Sequence, residues 1–331
     1  MSLLVGDIGG THTRLALAEP DAPSGGCRIT LRDVTRYENA RYPDLDAILA
    51  EYLSSRSPGR ARTGCLAVAG PTDGRRVRFT NLGWELDANC LSERHGLAGL
   101  RFINDFSAVG WGLAALEASD LSPLQVGRPS PRAPRVAVGA GTGLGVSLCV
   151  WQDRGYRPLA SEGGHIGFAP VNAEQDRLLA FLRRTHGRVS VERLVSGPGL
   201  CDIYRFCLAE AGRREEGDAC LSQPDAARAV SQTGLAPEGP AEAQRALALF
   251  VRLYGQVAGD IALLTRAAGG VYLAGGIAPQ ILTALHGAGF LLGFRDKGRF
   301  SAWMEEAPVA VALAPDIGLR GAAVAAENEA A

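Results

Sequence analysis

The sequence predicts an α/β protein of two domains or lobes, and three observations carry that expectation. A chain of 331 residues, 47 % hydrophobic and only 21 % charged, can bury a sizeable core, and at roughly 100 to 200 residues per domain its length fits two units. Short apolar strand patterns are interspersed with stretches of helical spacing. One design, a glycine turn between two apolar runs, occurs twice.

The first such unit covers residues 3–18. Apolar residues on both sides of Gly9-Gly10 predict two antiparallel strands joined by a tight turn, with glycine supplying positive φ. In residues 43–53, Leu45, Ile48, Leu49 and Tyr52 fall at helical spacing, and residues 65–69 read as a short buried strand ending at Gly70-Pro71. Residues 100–103 form a further strand with Asn104 and Asp105 at its C-terminal end, where ligands gather in open α/β sheets. Residues 119–135, rich in Pro, Ser and Arg, predict a loop. The hairpin design then returns over residues 136–150, around Gly141-Thr142-Gly143.

Residues 175–186 read as helical and residues 212–239 as a polar segment. A long helix follows Pro240, with Leu247, Phe250, Val251, Tyr254, Val257, Ala258, Ile261 and Leu264 on one face. Residues 271–274 are a buried strand running into Gly275-Gly276, residues 309–313 are another, and the last helical piece begins near Gly318. No charge occurs between Arg266 and Arg295, a stretch long enough for a membrane span. Gly269, Gly270, Gly275, Gly276, Pro279, Gln280 and His286 interrupt it, so it reads as a strand, a glycine turn and a helix.

Composition excludes several classes. A net charge of -1 gives no electrostatic case for nucleic acid or an anionic membrane, so small molecules are the expected partners. The 34 basic residues are 33 Arg and the single Lys297, which precedes Gly298. A Lys-bearing P-loop is therefore impossible, and no strand of the protein-kinase type surrounds Lys297. A pyridoxal-phosphate enzyme would also need Lys297, whose Asp-Lys-Gly-Arg setting reads as a solvated loop. The seven cysteines (Cys27, Cys65, Cys90, Cys149, Cys201, Cys207, Cys220) are odd in number and form no C-x-x-C pair. That argues against a disulfide framework or zinc ribbon and fits a reducing cytosol. The N-terminus reaches Asp7 without a basic region, unlike a signal peptide.

Three glycine turns at strand ends, Gly9-Gly10-Thr11, Gly141-Thr142-Gly143 and Gly275-Gly276, carry the chemical reading. Backbone N–H groups in such turns can converge on phosphate oxygens, because glycine permits close approach. Any one alone is better read as a structural hairpin; two similar ones and a third after a strand are less easily coincidental. Asp7 beside the first turn could hold a Mg²⁺ that bridges nucleotide phosphates, directly or through water. It could equally satisfy N–H groups of the turn, and the residues leave both readings open.

Gly6-Asp7-Ile8-Gly9-Gly10-Thr11, residues 139–145 and Ala274-Gly275-Gly276-Ile277 resemble the two phosphate motifs and the adenosine motif of the sugar kinase, heat-shock ATPase and actin superfamily. More narrowly, Phe102-Ile103-Asn104-Asp105-Phe106, residues 162–170 (Glu-Gly-Gly-His-Ile-Gly-Phe-Ala-Pro) and residues 190–199 are similar to bacterial ATP-dependent glucokinases. The resemblance runs from the first strand to residues 315–319. It implies the two-domain actin-like ATPase (ribonuclease H-like) fold with a deep central cleft. The expected parts are a small α/β domain (residues 1–110), a large one (111–315) and a C-terminal helix (316–331) returning to the small domain. The implied reaction is transfer of the γ-phosphoryl group of ATP to the 6-hydroxyl of D-glucose. The implied roles are catalysis by Asp105, sugar contact by Asn104, Glu162, His165 and Glu192, and nucleotide contact by Gly6, Asp7, Ile8, Gly9, Gly10, Thr11, Gly141, Thr142, Gly143, Gly275 and Gly276. Asp7 would hold the nucleotide's Mg²⁺ through water. A cytoplasmic homodimer without nucleic-acid or membrane partners completes the expectation.

Elementary chemistry agrees with those roles. Phosphoryl transfer asks for positioning, charge neutralisation and one group to accept the hydroxyl proton. A hexose presents hydroxyls that each donate and accept, which two carboxylates, an amide and an imidazole can hold at several points. Each residue also has a plainer reading. Asn104-Asp105 could cap a helix over residues 106–116, a role compatible with catalysis. Glu162-x-x-His165 resembles half of a di-iron helix motif, but the two glycines between oppose a helix. Glu192 could be a first-turn helix residue capped by Ser190, and without the resemblance it reads as structural.

His12 departs from the Asn usual after Gly-Gly-Thr in such proteins, and Gly167 stands where some of them have an acidic residue. A kinase for fructose, mannose or an amino sugar is the alternative enzyme. The repressor and kinase group related to it usually carries a Cys-rich zinc motif after its Gly-His pair, whereas Phe168-Ala169-Pro170 stands here. A non-catalytic, sugar-responsive binding protein is the alternative of another class. Such proteins generally prepend a basic helix-turn-helix domain, while this chain starts directly on the first glycine hairpin.

Overall fold

A computed structural model of the chain describes residues 2–20, 28–54, 61–79 and 82–329; Cys27 and the last two residues of the expected C-terminal helix lie outside them. The chain divides into two compact units, one of residues 1–120, 149–160 and 314–331 and the other of residues 121–148 and 161–313.

The first unit is built on a five-stranded sheet in the order Ile29–Glu38, His12–Pro20, Ser2–Ile8, Ala61–Val68, Gly99–Asn104. Leu4, Val5, Ile8, Leu15 and Ala16 are fully buried, which explains why the two apolar runs around the first glycine turn pair with each other. The turn departs from expectation in one respect: neither Gly9 nor Gly10 has positive φ. The Gly9 N–H instead donates to the His12 carbonyl at 3.0 Å and closes the connection. Leu45–Ser54 is a helix that buries Leu45, Ile48, Leu49 and Tyr52, the face read from their spacing. Three strands run parallel in register, Ile8 beside Val68 and Val68 beside Asn104. Their carboxyl ends therefore form one edge of the sheet.

In the second unit the strands Arg135–Ala140, Gly270–Ala274, Val309–Ala312 and Leu121–Gln125 are successive neighbours in one sheet. Residues 144–148, the first part of the strand Leu144–Gln152, flank Arg135–Ala140 on its other side. The helix Ala241–Thr265 is long and apolar enough to cross a membrane, yet Phe250, Leu253 and Tyr254 are fully buried in this unit's core. Each such side chain stabilises the fold by about 1.5–3 kcal/mol through removal from water.

Four local expectations are corrected. Residues 119–135 include an edge strand, Leu121–Gln125, antiparallel to Val309–Ala312; an edge tolerates Pro123, which has no N–H to give the ladder. The polar segment 212–239 contains the helix Ala226–Leu235, started by Asp225 accepting the Arg228 N–H at 3.1 Å, with Val230 and Ser231 as its buried residues. Beyond Gly276 there are three short helices, Ile277–Gln280, Leu282–His286 and Ala288–Arg295, where one was expected. Lys297 is not solvated: its side chain is 6 % exposed and its ammonium lies 2.9 Å from Asp260. The aliphatic stem lies along the long helix, so burial of the stem and pairing of the head go together.

Candidate active site

The sheet edge of the first unit gathers the first glycine turn and the Asn-Asp pair. Gly9 follows Ile8 and Asp105 follows Asn104, and the two strands are separated by one intervening strand, a span of roughly 10 Å. Asn104 is the N-cap of the helix Asp105–Gly112, and its Oδ1 accepts the N–H groups of Phe106 and Ser107, each at 3.0 Å. Its Nδ2 donates to Asp105 Oδ1 at 3.0 Å, and the same oxygen accepts the Phe106 N–H at 2.8 Å. The capping role expected for this pair is therefore present, and it fixes the Asp105 carboxylate at the positive end of a helix.

Around the first turn, Gly6 and Ile8 are buried within their strand, whereas Gly10 and Thr11 are exposed. A Cβ placed on Gly10 would meet no atom within 4 Å. Asp7 lies opposite Arg14 in the hairpin, and Arg14 Nη2 donates to its Oδ2 at 2.5 Å while Nη1 reaches the Pro315 carbonyl at 2.7 Å. Arg14 was not anticipated from the sequence; the period of the hairpin was the signal, since it sets residues 7 and 14 across from each other.

The other two turns meet in the second unit. Ala274 pairs with Gly139, so Gly275-Gly276 and Gly141 follow adjacent strand ends. Gly275 has φ +82°, and a Cβ there would stand 2.5 Å from the Ala140 carbonyl oxygen, so only glycine lets the third turn lie against the second. Gly141 and Gly276, by contrast, have open space where a Cβ would project. Both border a pocket of about 470 Å³ with Thr142. Its walls are Pro198 and Leu200 from the helix Gly197–Glu210, Ile277 and Gln280 after the third turn, and Asp225, Arg228 and Ser231. Cys201 also lines it, with its thiol pKa raised by burial. The Gly197 N–H donates to the Gly141 carbonyl at 2.8 Å and sets the amino end of that 14-residue helix beside the turn. A size within the range of ligand sites, apolar walls, a few polar groups and two bare glycines suit a nucleotide with its phosphates on the glycine side.

The sugar candidates of the second unit also converge. Glu162 Oε2 lies 3.8 Å from His165 Nε2, and Glu192 Oε1 lies 4.0 Å from His165 Nδ1. Gly163–His165 is a single 3₁₀ turn, not the helix of a di-iron site. Val191–Arg193 is likewise 3₁₀, and Ser190 makes no side-chain cap there; Ser190 instead pairs with Gly167 in an isolated bridge. The bridge, the Phe168 N–H to Val189 carbonyl bond at 3.1 Å and the Val191 N–H to Ile166 carbonyl bond at 2.9 Å bring the two segments together. Glu162 and His165 are 76 % and 60 % exposed, open to a ligand, while Glu192 is 27 % exposed. Among the described residues no three carboxylate, imidazole or thiol groups cluster as a metal site.

Two supports of the turns went unread in the sequence. Asn39, almost fully buried, accepts the Thr13 hydroxyl at 2.8 Å and donates to the Gly9 carbonyl at 2.8 Å. The buried Tyr254 hydroxyl donates to the Val138 carbonyl at 3.1 Å and accepts the Ala140 N–H at 3.3 Å, just before the second turn.

Comparison with known proteins gives a consistent picture. The family model described as Glucokinase matches residues 4–329. A glucokinase of Nostoc punctiforme is 40 % identical over 339 aligned residues, covering 98 % of each chain. Among solved structures, a glucokinase from an Antarctic psychrotroph superimposes with a TM-score of 0.85 at 30 % identity, covering 99 % of each chain. A glucokinase of Balamuthia mandrillaris in complex with glucose gives 0.74 at 25 % identity, covering 98 % of this chain and 93 % of that one.

Proposed function

We infer that this chain, which belongs to the glucokinase family and has its actin-like ATPase fold, transfers the γ-phosphoryl group of ATP to the 6-hydroxyl of D-glucose, giving glucose 6-phosphate and ADP. The observation that carries the reading of the site is the strand register of the first unit, which sets the first glycine turn and Asp105 at one sheet edge. Asp105 is the general base that takes the proton of the attacking hydroxyl. Asn104 holds that carboxylate through its amide and shares in sugar contact. Glu162, His165 and Glu192 hold the remaining hydroxyls.

The nucleotide's base and ribose take the pocket beside Gly276, with the bare backbone of Gly141 and Thr142 on its phosphate side, and phosphate contact by Gly10 and Thr11 is taken from the family resemblance. Gly6 and Ile8 serve this site through the strand they complete, not by contact, since both are buried. A Mg²⁺ carried by ATP would neutralise phosphate charge, and Asp7, steadied by Arg14, is the residue to hold it through water. The six free cysteines among the described residues support a reducing, cytosolic setting. The homodimer is taken from the family resemblance, and light scattering on the purified chain would measure it.

The reaction is tested with purified protein, ATP-Mg²⁺ and each common hexose, followed by identification of the phosphorylated carbon. ADP release that depends on glucose, with phosphate on carbon 6, is expected; a better turnover on fructose, mannose or an amino sugar would change the substrate. Asp105→Ala should lower kcat by about 10²- to 10⁴-fold, the usual weight of a positioned base, while glucose still binds. Near-wild-type kcat in that variant would remove Asp105 from the mechanism.

A further inference from the structure

We propose that Gly143, although part of a phosphate turn, is a positioning residue for sugar recognition, because its missing side chain makes the seat of the Glu192 carboxylate. The proposal rests on the glucose-phosphorylating reading above. The two glycines of the turn differ in what surrounds them. A Cβ on Gly141 would meet nothing within 4 Å, whereas one on Gly143 would stand 2.5 Å from Glu192 Oε2 and 3.2 Å from its Cδ. Neither glycine has positive φ, so backbone conformation does not demand glycine at residue 143. Space for the carboxylate does.

Glu192 Oε2 accepts the Leu144 N–H at 2.8 Å, the next amide along the turn. Its other oxygen, Oε1, faces His165 Nδ1 at 4.0 Å. The carboxylate thus has one edge on the glycine turn and one edge on the sugar cluster. Its backbone is held as well: the Ser196 hydroxyl donates to the Glu192 carbonyl at 2.7 Å, and the neighbouring Val191 is tied to Ile166. With the main chain fixed, a methyl group at residue 143 is accommodated by swinging the carboxylate off Leu144 and away from its place beside His165. Because one carboxylate serves both edges, sugar on Oε1 also stiffens the Leu144 amide. Binding of sugar and order in the turn are then reciprocally linked.

Gly143→Ala should raise the KM for glucose by about tenfold or more, the scale of a lost hydrogen bond to a charged acceptor, with kcat and the KM for ATP changed far less. Gly141→Ala, which fills space reserved for phosphate, should do the opposite and raise the KM for ATP. Shortening the acid gives room back, so Glu192→Asp in the Gly143→Ala background should cost less than the sum of the two single changes. A Gly143→Ala variant that raises the KM for ATP and spares glucose, or strict additivity in the cycle, would overturn the proposal. Hydrogen exchange of the wild-type chain keeps it testable if the variant fails to fold. Glucose alone, without nucleotide, should slow exchange in a peptide spanning residues 141–146, and unchanged exchange there rejects the link. The wild-type assay separates the two readings: no glucose-dependent ADP release ends the glucose assignment itself, whereas normal wild-type turnover with a failed Gly143 result ends this inference alone.

Discussion

Asn39 stands 1 % exposed, and its amide ties three parts of the first glycine turn together. Its side chain accepts from the buried Thr13 hydroxyl and donates to the Gly9 carbonyl, and its backbone N–H donates to the Thr11 carbonyl at 2.9 Å. Asn39→Ala leaves a buried hydroxyl and a carbonyl without partners, which costs about 1–3 kcal/mol. The same change frees the turn that is proposed to meet phosphate. Denaturant unfolding should show that loss of stability, and the KM for ATP should rise while the KM for glucose moves less. A variant as stable as wild type with an unaltered KM for ATP would reduce Asn39 to a bystander. Nothing in the sequence near residue 39 announces this role, because the contact joins residues 26 and 30 positions apart. The Asn104-Asp105 pair was legible for the opposite reason: its cap bonds are local, reaching two and three residues ahead.

The glycine hairpins and the long central helix were readable because apolar period and glycine punctuation are properties of contiguous sequence. Elements lacking that period were not. Leu121–Gln125 contains Ser122 and Pro123 and is a strand only because Val309–Ala312 offers it an edge. Ala226–Leu235 has one apolar side, but it is made of small residues, Ala226, Ala227, Val230 and Gly234, within a polar segment, and the Asp225 cap is its clearest local mark. The residues proposed for sugar contact stood out by type, but the bridge between Gly167 and Ser190 that brings their segments together is a tertiary pairing. Tyr254 illustrates the same limit from inside a well-read helix. Periodicity places it on the buried face, yet its hydroxyl has a separate task at the strand that precedes Gly141. Burial raises the pKa of that phenol, which keeps it a hydrogen-bond donor. Tyr254→Phe should lower stability by about 1–3 kcal/mol, since the Val138 carbonyl and Ala140 N–H lose a partner inside the core. Thermal melts with and without ATP would separate a general loss from one located at the turn: a turn effect predicts a smaller stabilisation by ATP than in wild type.

Across the whole molecule, titratable groups set a window of pH within which the fold keeps its full stability. On the acid side, Asp73 is held low by the backbone N–H of Arg76, Asp87 by the Arg76 side chain, Glu210 by the Arg177 side chain and Glu242 by its own backbone N–H. A carboxylate whose folded pKa is depressed contributes fully above its unfolded value, near pH 4, and loses the contribution as pH falls through the folded value. Asp73 is exposed, and the side chains of Asp87, Glu210 and Glu242 are half-buried beside arginines that are themselves more than half exposed, so each is partly screened and the acid limb should be shallow. On the alkaline side, burial pushes the Cys65 and Cys207 thiols up to about 11. For a group with a raised pKa the sign reverses. Stability is fully present below the unfolded value, about 8.5, and is lost as pH rises through the folded one. Ionising one such thiol in place costs on the order of 2–3 kcal/mol, and Cys65 is fully buried in the sheet of the first unit. Melting temperature should therefore be level from about pH 5 to 8, decline gently below pH 4 and fall more steeply between about pH 8.5 and 11. The alkaline fall should coincide with the appearance of thiols reactive toward a disulfide reagent beyond the exposed Cys90. A melting temperature that stays constant from pH 7 to 11, or a fall with no new reactive thiol, would show that the buried cysteines do not set the upper limit.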